Sequence, residues 1–373
     1  MAVACARVIE WIEGLAPKRL AEDWDNVGLQ VGDPAHPVEK IYVALDVDER
    51  VVQSAAEQGC QMIVSHHPLF FKPMKTIRYD QPQGRLIRAI VKANLQVYSA
   101  HTNLDSARGG VNDILAQRLG LEAIEPLFDD KQEELVKIVV FVPANHEAVV
   151  RRAMGDAGAG HIGNYSHCAF GSAGRGTFLP LAGTTPFIGV QGVLEEVEEV
   201  RLETIVSQKG LNRVLKAMLK AHPYEEAAYD LYPLLNRGDK TGLGRVGRLP
   251  APEPLEAVAE RIKTKLHVAR VRWTGADKGR MVEKIAVCGG SGASAIARAQ
   301  FKGAQVLVTG DIKYHEAQTA ELLGIDLIDA GHFATERPVL EALAAYLEER
   351  AAKEKTTVQV IVHPQSQDPF TDL

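Results

Sequence analysis

Cysteine is scarce in this chain: four among 373 residues, Cys5, Cys60, Cys168 and Cys288, widely spaced and never paired as C-x-x-C. That pattern argues against a disulfide framework or a thiolate metal site and suits buried thiols in a reducing compartment. A basic excess is missing too. Lys and Arg number 42 against 48 Asp and Glu, a formal net charge of −6, so the basic stripe needed for broad phosphate-backbone binding is not expected, nor is a nucleic-acid partner. No apolar run has the length of a membrane span. The first residues, MAVACARVIEWIEGLAPKRL, interrupt their apolar positions with Arg7, Glu10 and Glu13, which suits an amphipathic helix rather than a signal peptide, and the expected location is the cytoplasm. Low-complexity tracts are lacking, and 46% hydrophobic with 24% charged residues describes a globular protein. Also missing are a G-x-S-x-G elbow and a complete phosphate-loop or dinucleotide fingerprint. The glycine-rich VCGGSGAS at 287–294 follows a strand but has neither spacing, and reads more simply as a tight packing turn than as an anion cradle.

What is present is a degenerate repeat. GCQMIVSHHPL and LQVYSAHTNLD run from Gly59 to Asp105; GAQVLVTGDIKYHEA and IDLIDAGHFATE run from Gly303 to Glu336. Laid over one another, His101 matches His332 and Asp105 matches Glu336, so H-x3-D/E occurs twice. Neutral imidazoles and hard carboxylates supplied by two related segments are what a divalent metal site requires, and a pair of half-sites suggests two ions.

At about 150 residues per domain, the length allows two or three units with full-sized cores. Apolar runs at 40–47, 61–65 and 95–100, and again at 284–288, 305–309, 325–330 and 357–362, alternate with amphipathic stretches such as 83–93. This is an α/β pattern. Ligands in open α/β sheets sit beyond the carboxyl ends of the strands, and those ends carry Asp46, Ser65, His66, His67, His101, Thr309, Gly310, Asp311 and His332.

Residues from about 133 to about 240 differ in character. A strand at 134–143, a helix at 145–155, a glycine-rich stretch, the charged VLEEVEEVRLETIVS, a helix at 209–221 and the strand-like AHPYEEAAYDLYPL follow the ferredoxin-like order, an inserted α+β module. The polar NRGDKTGLGRVG at 236–247 is the expected return to the main body.

Each constellation has a plainer alternative. Adjacent His66 and His67 are either two surface histidines or, diverging after a strand, two rings addressing two ions. His332 and Glu336, four apart, either share a ligand direction or mark a capped helix start, with Glu336 at the positive dipole end. Asn103 and Asp105 are turn residues or, by the match to the second half-site, a ligand in Asp105. Asp311 and His315, again four apart, are supporting or acid/base candidates or a helix cap. Trp24, Asp25 and Asn26 line the site or form a β-turn; His161, Asn164, Tyr165, His167 and HPYEE at 222–226 are ligand-binding or ordinary loop residues. Two carboxylates with four histidines suffice for a two-metal centre with one bridging carboxylate. Such centres supply a hydroxide near neutral pH, and hydrolysis is the natural inference.

WDNVGLQVGD, IVSHHPL, YSAHTNLD, TGDIKYHEA and GHFATERP occur in the order and positions seen in the Nif-three-like family, also labelled the GTP cyclohydrolase I type 2 family. The resemblance covers about 1–130 and 242–373. It implies a duplicated α/β core with a dinuclear centre between its halves, ligated by His66, His67, Asp105, His332 and Glu336. Glu336 is the implied bridge, and His101 a ligand or close neighbour. Zinc is the foremost expected ion, with iron, manganese or cobalt as alternatives. The stretch 131–241 resembles the PII and CutA type of domain, HPYEE being similar to HPYE of CutA-like proteins, and long forms of the family imply a toroidal homohexamer, a trimer of dimers capped by the inserts. The implied activity is ring-opening hydrolysis of GTP or a related heterocycle, with His101, His315 and Asp311 as the proton-handling candidates. The alternative from a different class is a non-catalytic metal-dependent regulator or scaffold whose insert senses a small ligand or metal.

Overall fold

A computed structural model describes residues 2–129, 131–275, 277–364 and 368–371. The chain divides into two compact units, one formed by Met1–Lys131 with Thr241–Leu373 and the other by Gln132–Lys240.

The first unit holds two sheets of related design. In one, the strands run in the order Gln359–Val362, Lys40–Ala44, Met62–Ser65, Gln96–Ser99 and Gly28–Val31, all parallel except the last. In the other the order is Arg272–Trp273, Asp326–Asp329, Val306–Gly310, Met281–Ser291, Arg245–Pro254 and Glu122–Pro126, with the three strands at 281–291, 306–310 and 326–329 mutually parallel. Strands buried on both faces explain the unbroken apolar runs: Met62 to Ser65 and Val306 to Gly310 are buried throughout. Within each parallel trio the third strand leads into a five-residue helix, Thr102–Ser106 in one and His332–Glu336 in the other. The two copies of H-x3-D/E therefore occupy equivalent places.

The N-terminal helix Cys5–Leu15 buries Cys5, Val8, Trp11 and Ile12 in a core shared with Leu340, Leu343 and Leu347 of the helix Val339–Lys353. Its 3.6-residue periodicity is the one seen in the sequence. No described helix is long and apolar enough to cross a membrane.

The second unit follows strand, helix, two strands, helix, strand: Lys131–Pro143, Glu147–Asp156, Ala169–Phe178, Glu195–Ser207, Leu211–Ala221 and Tyr229–Thr241. The last strand lies at one edge of an antiparallel sheet beside Lys131–Pro143, with Glu195–Ser207 and then Ala169–Phe178 beyond. Alternate residues Ile138, Val140, Val142, Leu202 and Val206 pack against Val150, Met154, Val214 and Met218 of the two helices. Two local expectations shift. HPYEE at 222–226 lies before the strand, in bends, and the polar 236–241 continues the strand to Thr241. Pro223 has no N–H for a ladder, whereas a polar, charged run suits an edge strand.

Candidate metal centre

The strand Met62–Ser65 ends at Ser65, and the backbone continues its ladder for two residues, His66 N–H donating to Ala44 O and His67 N–H to Leu45 O. Side chains alternate across this extended segment, yet the two ring centroids come to 5.0 Å from one another. Each is held at Nδ1: His66 donates to the carbonyl of Ala100 at 2.9 Å, His67 to Asp46 Oδ1 at 2.7 Å. His101 and His332, at the starts of the two short helices, follow the same rule, donating from Nδ1 to Asp25 Oδ1 at 2.9 Å and to Asp311 Oδ2 at 2.7 Å. A carbonyl or carboxylate can only accept, so every Nδ1 carries its proton and every neutral ring presents a bare Nε2, the arrangement of metal-binding imidazoles. Asp25 is itself fixed, its Oδ2 accepting from Thr102 N–H at 3.0 Å.

The Nε2 atoms meet two carboxylates. His66 Nε2 lies 3.6 Å from both Asp105 Oδ1 and Glu336 Oε1, while Glu336 Oε2 lies 3.0 Å from His67 Nε2 and 3.2 Å from His332 Nε2. Three groups have ligand atoms close enough to share an ion: His66 with His67 and His101, His67 with His332 and Glu336, and His66 with Asp105 and Glu336. Buried His66 Nε2, Asp105 Oδ1 and Glu336 Oε2 have no hydrogen-bond partner among the described residues. Orphaned buried polar atoms are costly, and a cluster of them aimed at one point is the donor set of a cation. The residues present thus fit a divalent metal.

Electrostatics agree. Burial lifts the Asp105 carboxyl well above its usual range, opposed by His66 and reinforced by the charge of Glu336. Burial acts on Glu336 in the same sense, but the surrounding His66, His332 and His67 overcome it and hold the group well below the ordinary value. Burial opposes the charged form of His67, yet Asp46 and Glu336 raise it to about 10; His332, mainly through Glu336, rises to about 9. Without a counter-charge the cluster holds protons where metal would sit. Burial pushes the nearby Cys288 thiol up to about 12, and Cys288 belongs to none of the three ligand groups.

Glycines make the close packing possible. A Cβ on Gly290, whose φ is +64°, would stand 2.1 Å from Glu336 Oε1, and one on Gly310 would stand 2.5 Å from His332 N. VCGGSGAS is accordingly a packing turn against the carboxylate, tied by Gly290 N–H to Thr335 Oγ1 at 3.0 Å. Asp311 sits at φ +59°, a conformation that a short polar side chain tolerates, and so reaches His332.

The five expected ligands and His101 converge, and Asp311 stands behind His332. His315, expected as a proton-handling residue rather than a ligand, lies on the exposed face of the helix Tyr314–Leu323, with Nδ1 against Gln318 at 2.9 Å, outside all three ligand groups. In the other unit, His161 bonds the Gly158 carbonyl and His167 reaches Asp156 and Ser166. Neither they nor Asn164 and Tyr165 join a metal group. Asp46, named in the sequence only as a strand end, is the residue whose role went unread; an acidic residue just past a strand neighbouring the His-His strand was its signal. Three clefts adjoin the cluster among the described residues, one of them, of about 580 Å³, lined by Asp46 and His67. A second, of about 620 Å³, is lined by His67, His332, Phe333 and Arg270. The third, about 680 Å³, is lined by Trp24 and Phe71, whose rings lie 6.0 and 6.3 Å from that of His101.

Comparison with known proteins bears on the same residues. Positions 3–369 match the model of Duf34/NIF3 (NGG1p interacting factor 3). Proteins named GTP cyclohydrolase 1 type 2 homolog from Halalkalibacterium halodurans and Bacillus subtilis are each 45% identical, over 98% of this chain and 97% and 98% of theirs. The crystal structure of a Bacillus cereus protein related to NIF3 superposes with a TM-score of 0.93 at 44% identity, covering 100% of this chain and 99% of that one. The chain therefore belongs to the Duf34/NIF3 family.

Proposed function

We propose that this protein binds two divalent metal ions per chain and uses them to hydrolyse a nucleotide or related heterocycle, in the manner of a GTP cyclohydrolase I type 2. The observation that carries the reading is the division of Glu336: one carboxylate oxygen faces His66 and the other faces His67 and His332. His66, Asp105 and Glu336 would hold one ion; His67, His332 and the same Glu336 would hold the other. His101 either completes a site or moves a proton. Bound divalent ions lower the pKa of a water and stabilise charge on oxygen. A mixed imidazole and carboxylate set suits zinc foremost, with iron, manganese or cobalt also matched to it.

The chain's own residues supply the rest. Asp25 holds His101 with Nε2 free to accept a proton, beside the exposed rings of Trp24 and Phe71, flat apolar surfaces suited to a heterocycle. The second unit, with its ferredoxin-like order, is read as PII/CutA-like, and the assembly as a homohexamer, a trimer of dimers. Light scattering of the purified protein tests the latter.

The activity is tested with metal-loaded wild type and Glu336→Gln side by side on GTP and a panel of nucleotides, products being separated by chromatography. Turnover that the variant loses supports the reading. Two bound ions with no turnover on any nucleotide would redirect it to a non-catalytic regulator.

A further inference from the structure

The second unit contains a cavity that the metal chemistry leaves unused. It lies on the sheet face away from the two helices, has a volume of about 600 Å³, and is bordered by Phe141, Phe178, Phe187, Tyr224 and Glu199. Its roof comes from the irregular stretch 179–194, fastened by Thr185 N–H donating to Glu225 Oε2 at 2.9 Å. HPYEE thus forms part of its wall.

Three rings meet at angles rather than in a stack. The centroid of Tyr224 is 5.7 Å from that of Phe178 at 60° between planes and 6.3 Å from that of Phe187 at 50°. Beside them stands Glu199, only 8% exposed. One of its oxygens accepts from the Tyr224 hydroxyl at 3.0 Å; the other lies over Gly176, where a Cβ would come within 2.0 Å. No Lys or Arg pairs with Glu199 among the described residues. Arg175 borders the cavity, but its guanidinium is bound to Glu196 at 2.6 Å. His222 is no counter-ion either. Its Nδ1 accepts from Tyr224 N–H and its Nε2 donates to the Phe141 carbonyl, which requires the neutral ring, and burial lowers its pKa in the same direction. Glu225 and Glu226 add two further carboxylates to the wall.

A mostly buried carboxylate that holds one hydrogen-bond donor and no cation among the described residues favours a positive partner, and angled aromatic faces attract cations through their quadrupoles. We propose that this cavity is a binding site for a small organic cation, an ammonium group seated among Phe178, Phe187 and Tyr224 over the Glu199 carboxylate. The apolar walls favour a methylated ammonium, which sheds its water more readily than a bare one.

The test is calorimetric titration of the full-length protein with choline, and with 3,3-dimethyl-1-butanol, the uncharged molecule of the same shape. Saturable choline binding with the neutral analogue about tenfold weaker or more is expected, together with a comparable loss in Glu199→Gln and little change in Tyr224→Phe, which keeps the ring. Should Glu199→Gln fail to fold, the pair of ligands on wild type still decides. Absence of saturable choline binding, equal binding of the neutral analogue, or an unaltered Glu199→Gln would each overturn the proposal.

Discussion

Oε2 of Glu336 stands 3.0 Å from Nε2 of His67, the distance of an ion pair when the ring is protonated and of two ligand atoms facing one ion when it is not. Because Oε1 of the same carboxylate turns toward His66 and Asp105, Glu336 belongs to two of the candidate groups and Asp105 to one. Asp105→Asn is therefore expected to weaken one ion and retain the other, leaving about one per chain after dialysis, as read by elemental analysis. Retention of the full wild-type complement would contradict that assignment.

The carboxylates behind the imidazoles set ring orientation and basicity. Replacing Asp46 or Asp311 by Asn keeps the shape but weakens the acceptor, and metal affinity is expected to fall by roughly 10- to 100-fold. Competition against a chromogenic chelator measures it; a change under about twofold in both variants would show that His67 and His332 are oriented by other means.

Metal loading should expel protons. With His67 raised to about 10 and His332 to about 9, the metal-free protein at pH 7 carries both imidazoles protonated. The sign follows: these raised pKa values contribute stability that is fully present below about 6.5 and is lost as pH rises through about 9 to 10. Metal-free protein should lose thermal stability over that interval, and metal affinity should weaken as pH falls. Calorimetric loading at pH 7 in buffers of different ionisation enthalpy should report a net release of protons from His67, His332 and Asp105; heats independent of the buffer would refute the picture.

Arg245 of the first unit is almost fully buried. It pairs with Asp113 and donates to the carbonyls of Gly242, Gly244 and Ala107. Arg245→Met removes one partner of a buried ion pair and strands those acceptors, which costs about 3–5 kcal/mol. Urea unfolding followed by tryptophan fluorescence reports it, since Trp11, Trp24 and Trp273 all belong to the first unit. A loss below about 1 kcal/mol would mean that water replaces the guanidinium.

Much of this site was legible in the sequence because its chemistry is local. Parallel strands leave continuous apolar runs, the runs end where ligands belong, and H-x3-D/E recurs at equivalent places after Ser99 and Asp329. Contacts between distant segments were not legible. Asp46 reaches His67 from 21 positions away, and Asp25 reaches His101 from 76; neither pairing leaves a spacing to find. Gly290 reads as a turn until Glu336 is seen against it. The four-residue spacing of Asp311 and His315 carries no helical direction, because Asp311 precedes the helix Tyr314–Leu323. Glu199 looked like one more charge in VLEEVEEV, since only the packed sheet shows which of those carboxylates is buried.

The central claim is a two-ion centre built on a shared Glu336, and its most direct measurement is the metal content of full-length protein purified without chelator, beside Glu336→Ala. About two divalent ions per chain in the wild type, with both lost or greatly weakened in the variant, is the predicted result. A wild type that binds no metal, or a variant that keeps both ions, would contradict it.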